Sequence, residues 1–468
     1  MSTSTEDILK AHQELSASFR QGVNSSYKAR MHHLGALKRF IQECEPVLCQ
    51  AIYEDMGRPH LEAIQSELAI CLLEVNVAID NLASWMKPKS LGVPWAFSMD
   101  VSKSICQPLG IILIITAWNY PFLLSLNPLV GALAAGNTIL IKPSELASAS
   151  SKALITLLPK YLPKEVLRII PGAIQETQDL LSLPYGRIFF TGSSSVGKIV
   201  LRAAAETMTP TSLELGGKCP VLVGPGANIP VAAKRIVWGK SINGGQACVS
   251  PDYIVCHPDL LEELITEIKR SLIDLHGPSR KIQRIANEKH WLRLTSLLDA
   301  TKGSIWQGGQ QDKDSLYLPP TLVTGVEVDD PLMQEEIFGP ILPILSSPDW
   351  DSAISLVNSF PSPLATYVFA SSEGVQRVIN ETTSGSCIGN DAVIQMGISH
   401  FPFGGVGASG NGMYRGQLSF KLFSHEKSVL HRFRGLDWIT SFRYPPLSIR
   451  SMQGLSLSLS LSLSLTIP

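Results

Sequence analysis

Between residues 109 and 215 the spacing of apolar positions keeps switching between the period of a strand and that of a helix. "GIILIIT" is a β-branched run buried on both faces, and "PFLLSLNPLVGALAAG" carries helical spacing up to a glycine stop. "TILIKPS" is again a strand and "ELASASSKALITLLPKYL" is amphipathic; "VLRIIPG", "AIQETQDLLSL", "RIFFTG", "SSVGKIVLRAAAETM" and "TSLELGG" continue the alternation. Strands that alternate with helices form a parallel sheet covered on both faces. A doubly wound α/β domain is therefore predicted, with ligands at the carboxyl ends of its strands. The first 85 residues are mostly helical, with apolar positions three and four apart through "MHHLGALKRFIQECEPVLCQAIYEDM". Beyond Cys248 the alternation returns, as in "YIVCHPDLLEELITEIKRSLIDL", and predicts a second α/β domain that holds this cysteine.

The longest apolar run, Leu109 to Trp118, is about half of the roughly 20 residues that a membrane-spanning helix needs, so it reads as a buried strand of a soluble protein. With 468 residues the chain has room for two or three domains with their own cores. Lysine and arginine number 39 against 40 aspartates and glutamates, which leaves no basic field for nucleic acid and points to a small-molecule partner. The opening "MSTSTEDILKAHQELS" lacks a basic stretch followed by an apolar core, so a cytoplasmic, reducing compartment is expected. Disulfides are not expected there, and the sequons at Asn24 and Asn380 stay unused.

Eight cysteines are scattered with no CxxC pair and no metal-ligand spacing. Cys44, Cys49, Cys71, Cys106, Cys219, Cys256 and Cys387 read as small buried hydrophobes. Cys248 is different: in "NGGQACVSPDY" it follows a glycine pair, whose lack of side chains lets ligands approach the sulfur closely. Two glycine motifs compete for a phosphate. "GVGASG", Gly405 to Gly410, has GxGxxG spacing but neither a strand before it nor a helix after it, so it reads as a loop. "GSSSVGK", Gly192 to Lys198, sits between strand and helix, and Ile199 denies it the hydroxyl of a phosphate loop; a nucleotide-hydrolysing reading is the weaker alternative. What remains is a helix N-terminus suited to a pyrophosphate, or simply a serine-capped helix start.

"TAWNYPF" (116 to 122), "GNTILIKPSE" (136 to 145), "FTGSSSVG" (190 to 197), "LELGGK" (213 to 218), "GGQACVSPDY" (244 to 253), "EEIFGP" (335 to 340) and "HFPFGGVGASGNG" (400 to 412) follow one another in this order. Together they resemble the NAD(P)-dependent aldehyde dehydrogenases; "ITAWNYP", "CVSPDY" and "RGQLSFKLFSHEKSVL" resemble family 3 of that superfamily, closest to its B-type members. The resemblance implies an α/β fold with a doubly wound cofactor domain (1–85 and 107–212), an α/β catalytic domain (213–405) and a small oligomerisation segment (86–106 and 406–445); the residues themselves mark 446–468 as a low-complexity Leu-Ser tail. It also implies a homodimer.

By the same resemblance, Cys248 is the nucleophile, Asn119 and the Cys248 N–H hold the oxyanion, and Glu214 activates the deacylating water. NAD or NADP is held by Lys142, Glu145, Gly192, Ser193, Gly197, Glu336 and Phe338; apart from the resemblance, Ser144 reads simply as a helix cap. Tyr120 and His400 wall the aldehyde entrance. The chemistry is consistent with the residues themselves. An aldehyde must first gain a nucleophile before it can expel hydride, and a helix start or cofactor charge would raise the thiolate fraction. Substrates are expected to be hydrophobic aldehydes of medium or long chain, or aromatic ones. A non-catalytic cofactor-binding scaffold or inactive variant is the alternative. Two departures stand out: the stretch from about 276 to 290 is shorter than in the family, and "GLSLSLSLSLSLTIP" offers no lipid-accepting cysteine, so weak membrane contact at most is expected.

Overall fold

The structure, a computed structural model, describes residues 2–94, 97–277, 283–435, 441, 444–446 and 456. Three sheets organise them. β1 (Lys89–Ser90) and β2 (Val101–Pro108) begin an arm. Five parallel strands follow: β3 (Ile111–Ile115), β4 (Thr138–Lys142), β5 (Leu167–Ile169), β6 (Arg187–Thr191) and β7 (Thr211–Glu214). A second set comprises β8 (Pro220–Val223), β9 (Tyr253–Cys256), β10 (Ser304–Gln307), β11 (Thr321–Thr324), β12 (Ile341–Ser346), β13 (Ala365–Phe369) and β14 (Ser386–Gly389). β15 (Gly410–Asn411) then returns to the first of these sheets and β16 (Ser424–His431) to the arm.

The six-stranded sheet has the order β15-β7-β6-β3-β4-β5, parallel except at β15. Its strand order reverses between β3 and β6: the chain winds from β3 outward through β4 and β5, then crosses to the other side of β3. Crossovers leaving in opposite directions open a crevice at the carboxyl ends of those two strands. The loop after β3 carries Asn119, and the loop after β6 carries Gly192 and Ser193. β3 is buried at every position because helices cover both faces, as its unbroken β-branched run predicts. The helix Pro121–Ala135 begins on a proline and is buried all round, so its face pattern is apolar rather than amphipathic.

The sheets divide the chain slightly differently from the sequence-based boundaries. β7, including residues 213 and 214, belongs to the six-stranded sheet, and so does β15 at 410–411. Hydrogen bonding across the sheet edge decides this, and no local period encodes it. The seven-stranded sheet runs β10-β11-β12-β9-β8-β13-β14, and the arm runs β1-β2-β16. Among the described residues one helical stretch, residues 60–86, is long and apolar enough to cross a membrane by length and composition; half of its most apolar window is buried in the fold. Of the stretch 276–290, residues 278–282 lie outside the described residues, as does the Leu-Ser tail apart from Pro446 and Ser456.

Candidate active site

Cys248 lies in a turn closed by Ser250 N–H donating to the Ala247 carbonyl at 2.9 Å, between the short helical turn Ile242–Gly245 and β9. No helix begins at this cysteine, so the helix-start activation expected of it is absent. Instead the thiol is pushed up to about 12, by burial first and then by the Glu336 and Glu214 carboxylates, while its own backbone N–H and Arg415 pull the other way. The glycine pair also meets a constraint within the fold. Gly244 and Gly245 have φ of +60 and +74, and a Cβ on Gly245 would fall 2.3 Å from the Gly339 carbonyl oxygen. Glycine suits both positions because the chain is left-handed there, and at Gly245 because its backbone also touches that of Gly339.

Asn119 follows β3 and is buried. Its Nδ2 donates to the Gln246 carbonyl at 3.1 Å, two residues before Cys248, which ties the loop of one sheet to the cysteine turn of the other. Glu214 ends β7, in register with Thr191 on one side and Gly410 on the other. It is 3% exposed, neither carboxylate oxygen has a hydrogen-bond partner, and burial raises its pKa well above the ordinary value, with Arg415 opposing. Gly410, from the discounted "GVGASG", is an edge-strand residue beside Glu214: φ is +136, and a Cβ would sit 2.0 Å from the Leu213 carbonyl oxygen.

Glu336 is half-buried and pushed up to about 8, by burial first and then by Asp252, against the Gly217 N–H, Lys218 and Lys240. Its loop is clamped from below. The buried Lys218–Asp252 pair sends Lys218 Nζ to the carbonyls of Leu332 (2.8 Å) and Glu335 (3.0 Å), and Asp252 accepts from Ile337 N–H at 2.9 Å. Phe338, at φ +51, meets the Trp118 ring edge-on at 5.5 Å. Sequence reasoning missed Lys218 and Asp252 as organisers. The visible signal was a lysine and an aspartate flanking two apolar strands, whose pairing only the fold shows.

The cofactor candidates gather at the crevice. Lys142 ends β4 with its ammonium 2.7 Å from Glu145. Ser193 caps the helix Ser194–Glu206 by accepting from Val196 N–H, and Gly197 packs that helix against Leu215. The Thr191 hydroxyl at the end of β6 is buried without a partner. An unsatisfied hydroxyl beside an exposed 13-residue helix start, with a cation and a carboxylate two strands away, fits a dinucleotide. Ser144 does not cap the following helix: its Oγ accepts from Leu146 N–H, and Asp55 accepts from Ala149 and Ser150 N–H at 2.9 and 2.8 Å.

A cavity of about 660 Å³, mostly apolar, adjoins the turn that leads to Cys248; Glu62, Trp238, Ile242, Leu275, Ile394 and Met396 lie in its wall. Glu62 joins wall to turn by accepting from Asn243 N–H at 3.0 Å. Neither Tyr120 nor His400 lines this cavity. Tyr120 is 1% exposed beneath an Arg58 guanidinium at 4.6 Å, with its hydroxyl unpartnered, and His400 is exposed beside Gly416.

The model of the aldehyde dehydrogenase family matches residues 1–429. Aldehyde dehydrogenase family 3 member A2 of Mus musculus is 42% identical over 439 residues, covering 93% of this chain and 90% of that protein. Family 3 member B1 of Mus musculus is 40% identical over 448 residues, 95% of each. Among solved structures, the substrate-bound state of Staphylococcus aureus AldH superposes with a TM-score of 0.93 at 39% identity, covering 96% of this chain and 99% of that one.

Proposed function

The chain belongs to the aldehyde dehydrogenase family, within its family 3, and is an enzyme that oxidises aldehydes with NAD or NADP; we propose that its substrates are hydrophobic aldehydes and that Cys248, Asn119 and Glu214 perform the chemistry. The observation that carries the reading is the meeting of three groups: a thiol in a glycine-shaped turn, an asparagine amide tied to that turn, and a buried carboxylate with no partner of its own. The mostly apolar cavity supports the substrate class, since a chain or ring is held there by burial rather than by polar contacts.

In this reading the Cys248 thiol gives its proton to water and the sulfur adds to the carbonyl carbon. The oxygen that takes the charge accepts from Asn119 Nδ2–H and the Cys248 backbone N–H; losing one such donor costs about 3–4 kcal/mol of barrier. The chemistry that NAD or NADP supplies, when bound, is acceptance of hydride. Loss of hydride leaves an acyl thioester on Cys248. Glu214 takes a proton from water attacking that thioester, and the Cys248 thiolate departs with the acid released. Lys142 and Glu145 would hold the adenosine ribose, Gly192, Ser193 and Gly197 the pyrophosphate, and Glu336 with Phe338 the nicotinamide end. Absorbance of NADH or NADPH, followed over an aldehyde panel with both cofactors, tests the reading. A folded protein that binds cofactor without turnover would favour the scaffold instead.

The six-stranded sheet is then the cofactor domain, the seven-stranded sheet the catalytic domain, and the arm an oligomerisation device. Among the described residues β16 pairs with β2 alone and exposes most of its eight positions. A free edge of this length invites a second copy to add to it. Ser428→Pro, which breaks that edge, is expected to shift the mass by light scattering from two chains to one; an unchanged dimer would move the interface elsewhere. The protein is expected in the cytosol, with at most salt-sensitive membrane contact, since each basic residue near its tail contributes only about 1 kcal/mol at an anionic surface. Recovery in a membrane pellet that withstands high salt would overturn this.

A further inference from the structure

Arg58 is wholly buried, in a segment between the end of one helix at Gly57 and the start of the next at His60, far in sequence from every motif of the site. Its guanidinium is nevertheless the hub between the two halves of that site. One arm forms an ion pair with Glu67, itself wholly buried, at 2.5 Å; another donates to the Asn119 carbonyl at 2.6 Å; Nε donates to Asn243 Oδ1 at 3.2 Å. Asn243 in turn donates through Nδ2 to the carbonyls of Asn119 (3.0 Å) and Gln246 (3.1 Å). The other oxygen of Glu67 accepts from the Phe122 and Leu123 N–H groups, both at 2.9 Å. Those are orphan donors of the helix Pro121–Ala135, whose own N-terminal residue Tyr120 provides no side-chain cap. Thus Arg58 and Glu67 together grip the backbone on both sides of Tyr120 and the side chain that shapes the turn before Cys248.

We propose that Arg58 is a positioning residue that sets the distance between the Asn119 amide and the Cys248 turn, and so assembles the oxyanion site from two separately folded sheets. The inference rests on the reading of Asn119 and the Cys248 N–H as oxyanion donors. A planar fork suits the task, because one rigid group can satisfy a carboxylate, a carbonyl and an amide oxygen at fixed mutual angles. A lysine offers the same charge from a single flexible nitrogen. The remaining contacts of Arg58 supply no alternative: it donates to Ser66 Oγ at 3.4 Å and Met56 Sδ at 3.7 Å and lies over the Tyr120 ring at 4.6 Å, and none of these belongs to the turn.

Arg58→Lys retains a cation beside Glu67 and is expected to leave the thermal midpoint close to wild type. It should lower kcat about 100-fold with KM changed by no more than a few fold, since a misplacement of about 1 Å costs on that order. Asn243→Gly, at a φ of +52 that suits glycine, severs Arg58 from the turn and is the second variant should Arg58→Lys fail to fold. It is expected to lose a similar factor. The decisive measurement is a double-mutant cycle with Asn119→Ala: if Arg58 works through Asn119, the pair of substitutions loses no more than Asn119→Ala alone. Multiplicative losses, or full kcat in both Arg58→Lys and Asn243→Gly, overturn the proposal. Full kcat in Asn119→Ala would instead overturn the oxyanion reading beneath it, so the two failures are told apart.

Discussion

Cys248→Ala is expected to abolish formation of NADH or NADPH from every aldehyde, by at least about 10⁴-fold, while cofactor affinity stays within a few fold. No other thiol can substitute. Cys219 is wholly buried and donates its S–H to the Cys248 carbonyl at 3.3 Å, and Cys256 is enclosed at the end of β9. Cys219→Ala and Cys256→Ala should therefore retain turnover. Activity surviving in Cys248→Ala, or an equal loss in the two controls with normal folding, would sink the assignment. The first turnover of the wild-type enzyme is expected to carry a second signature. Because the thiol is pushed up to about 12, each unit of pH below that value holds roughly a tenth of the thiolate of the unit above. The rate of the first hydride transfer should then climb between pH 6 and pH 9, and a flat profile would mean that thiolate formation does not limit it.

The second large effect separates the two halves of the reaction. Glu214→Gln keeps the shape and the burial and removes only the ability to take a proton. Rapid mixing should show about one hydride transferred per active site and then a stall, with the acyl group retained on Cys248. The sign of the pH dependence follows from the raised Glu214 pKa: the carboxyl holds its proton at low pH, gains basic form as pH rises, and deacylation in the wild type accelerates accordingly. The variant should lose that limb. Steady-state turnover equal to wild type would return Glu214 to a structural role at the sheet edge.

Much of this was legible in the chain itself. The alternation of period from 109 to 215 is local: β-branched runs such as "GIILIIT" exclude helix by stiffness at χ1, and the runs between them repeat at helical spacing, so strand and helix each announce themselves. The quoted motifs likewise marked which loops meet at the crevice. One local reading failed for an instructive reason. Ser144 has the right residue type for a cap, yet Asp55, from a helix more than ninety positions earlier, takes both N–H groups. At Gly245 the fold adds a constraint that no neighbouring residue announces, contact with the Gly339 carbonyl, a backbone almost a hundred residues away.

What the sequence by itself determined is the set of elements, the residue types at the ends of strands and the family to which the chain belongs, because period, turn chemistry and motif order are properties of neighbouring residues. What only the tertiary structure decided is which charges face one another. Arg58 with Glu67 and Asn119, Lys218 with Asp252, and the lone carboxylate of Glu214 are separated in sequence from their partners or from the thiol they act on. The physical reason is that a buried charge is tolerated only where folding supplies its counter-charge or its donors, and the free energy of that pairing depends on distance and desolvation in three dimensions. Spacing along the chain carries neither quantity. The shift of Cys248 to about 12 belongs to the same class, since it arises from burial and from two carboxylates delivered by different sheets.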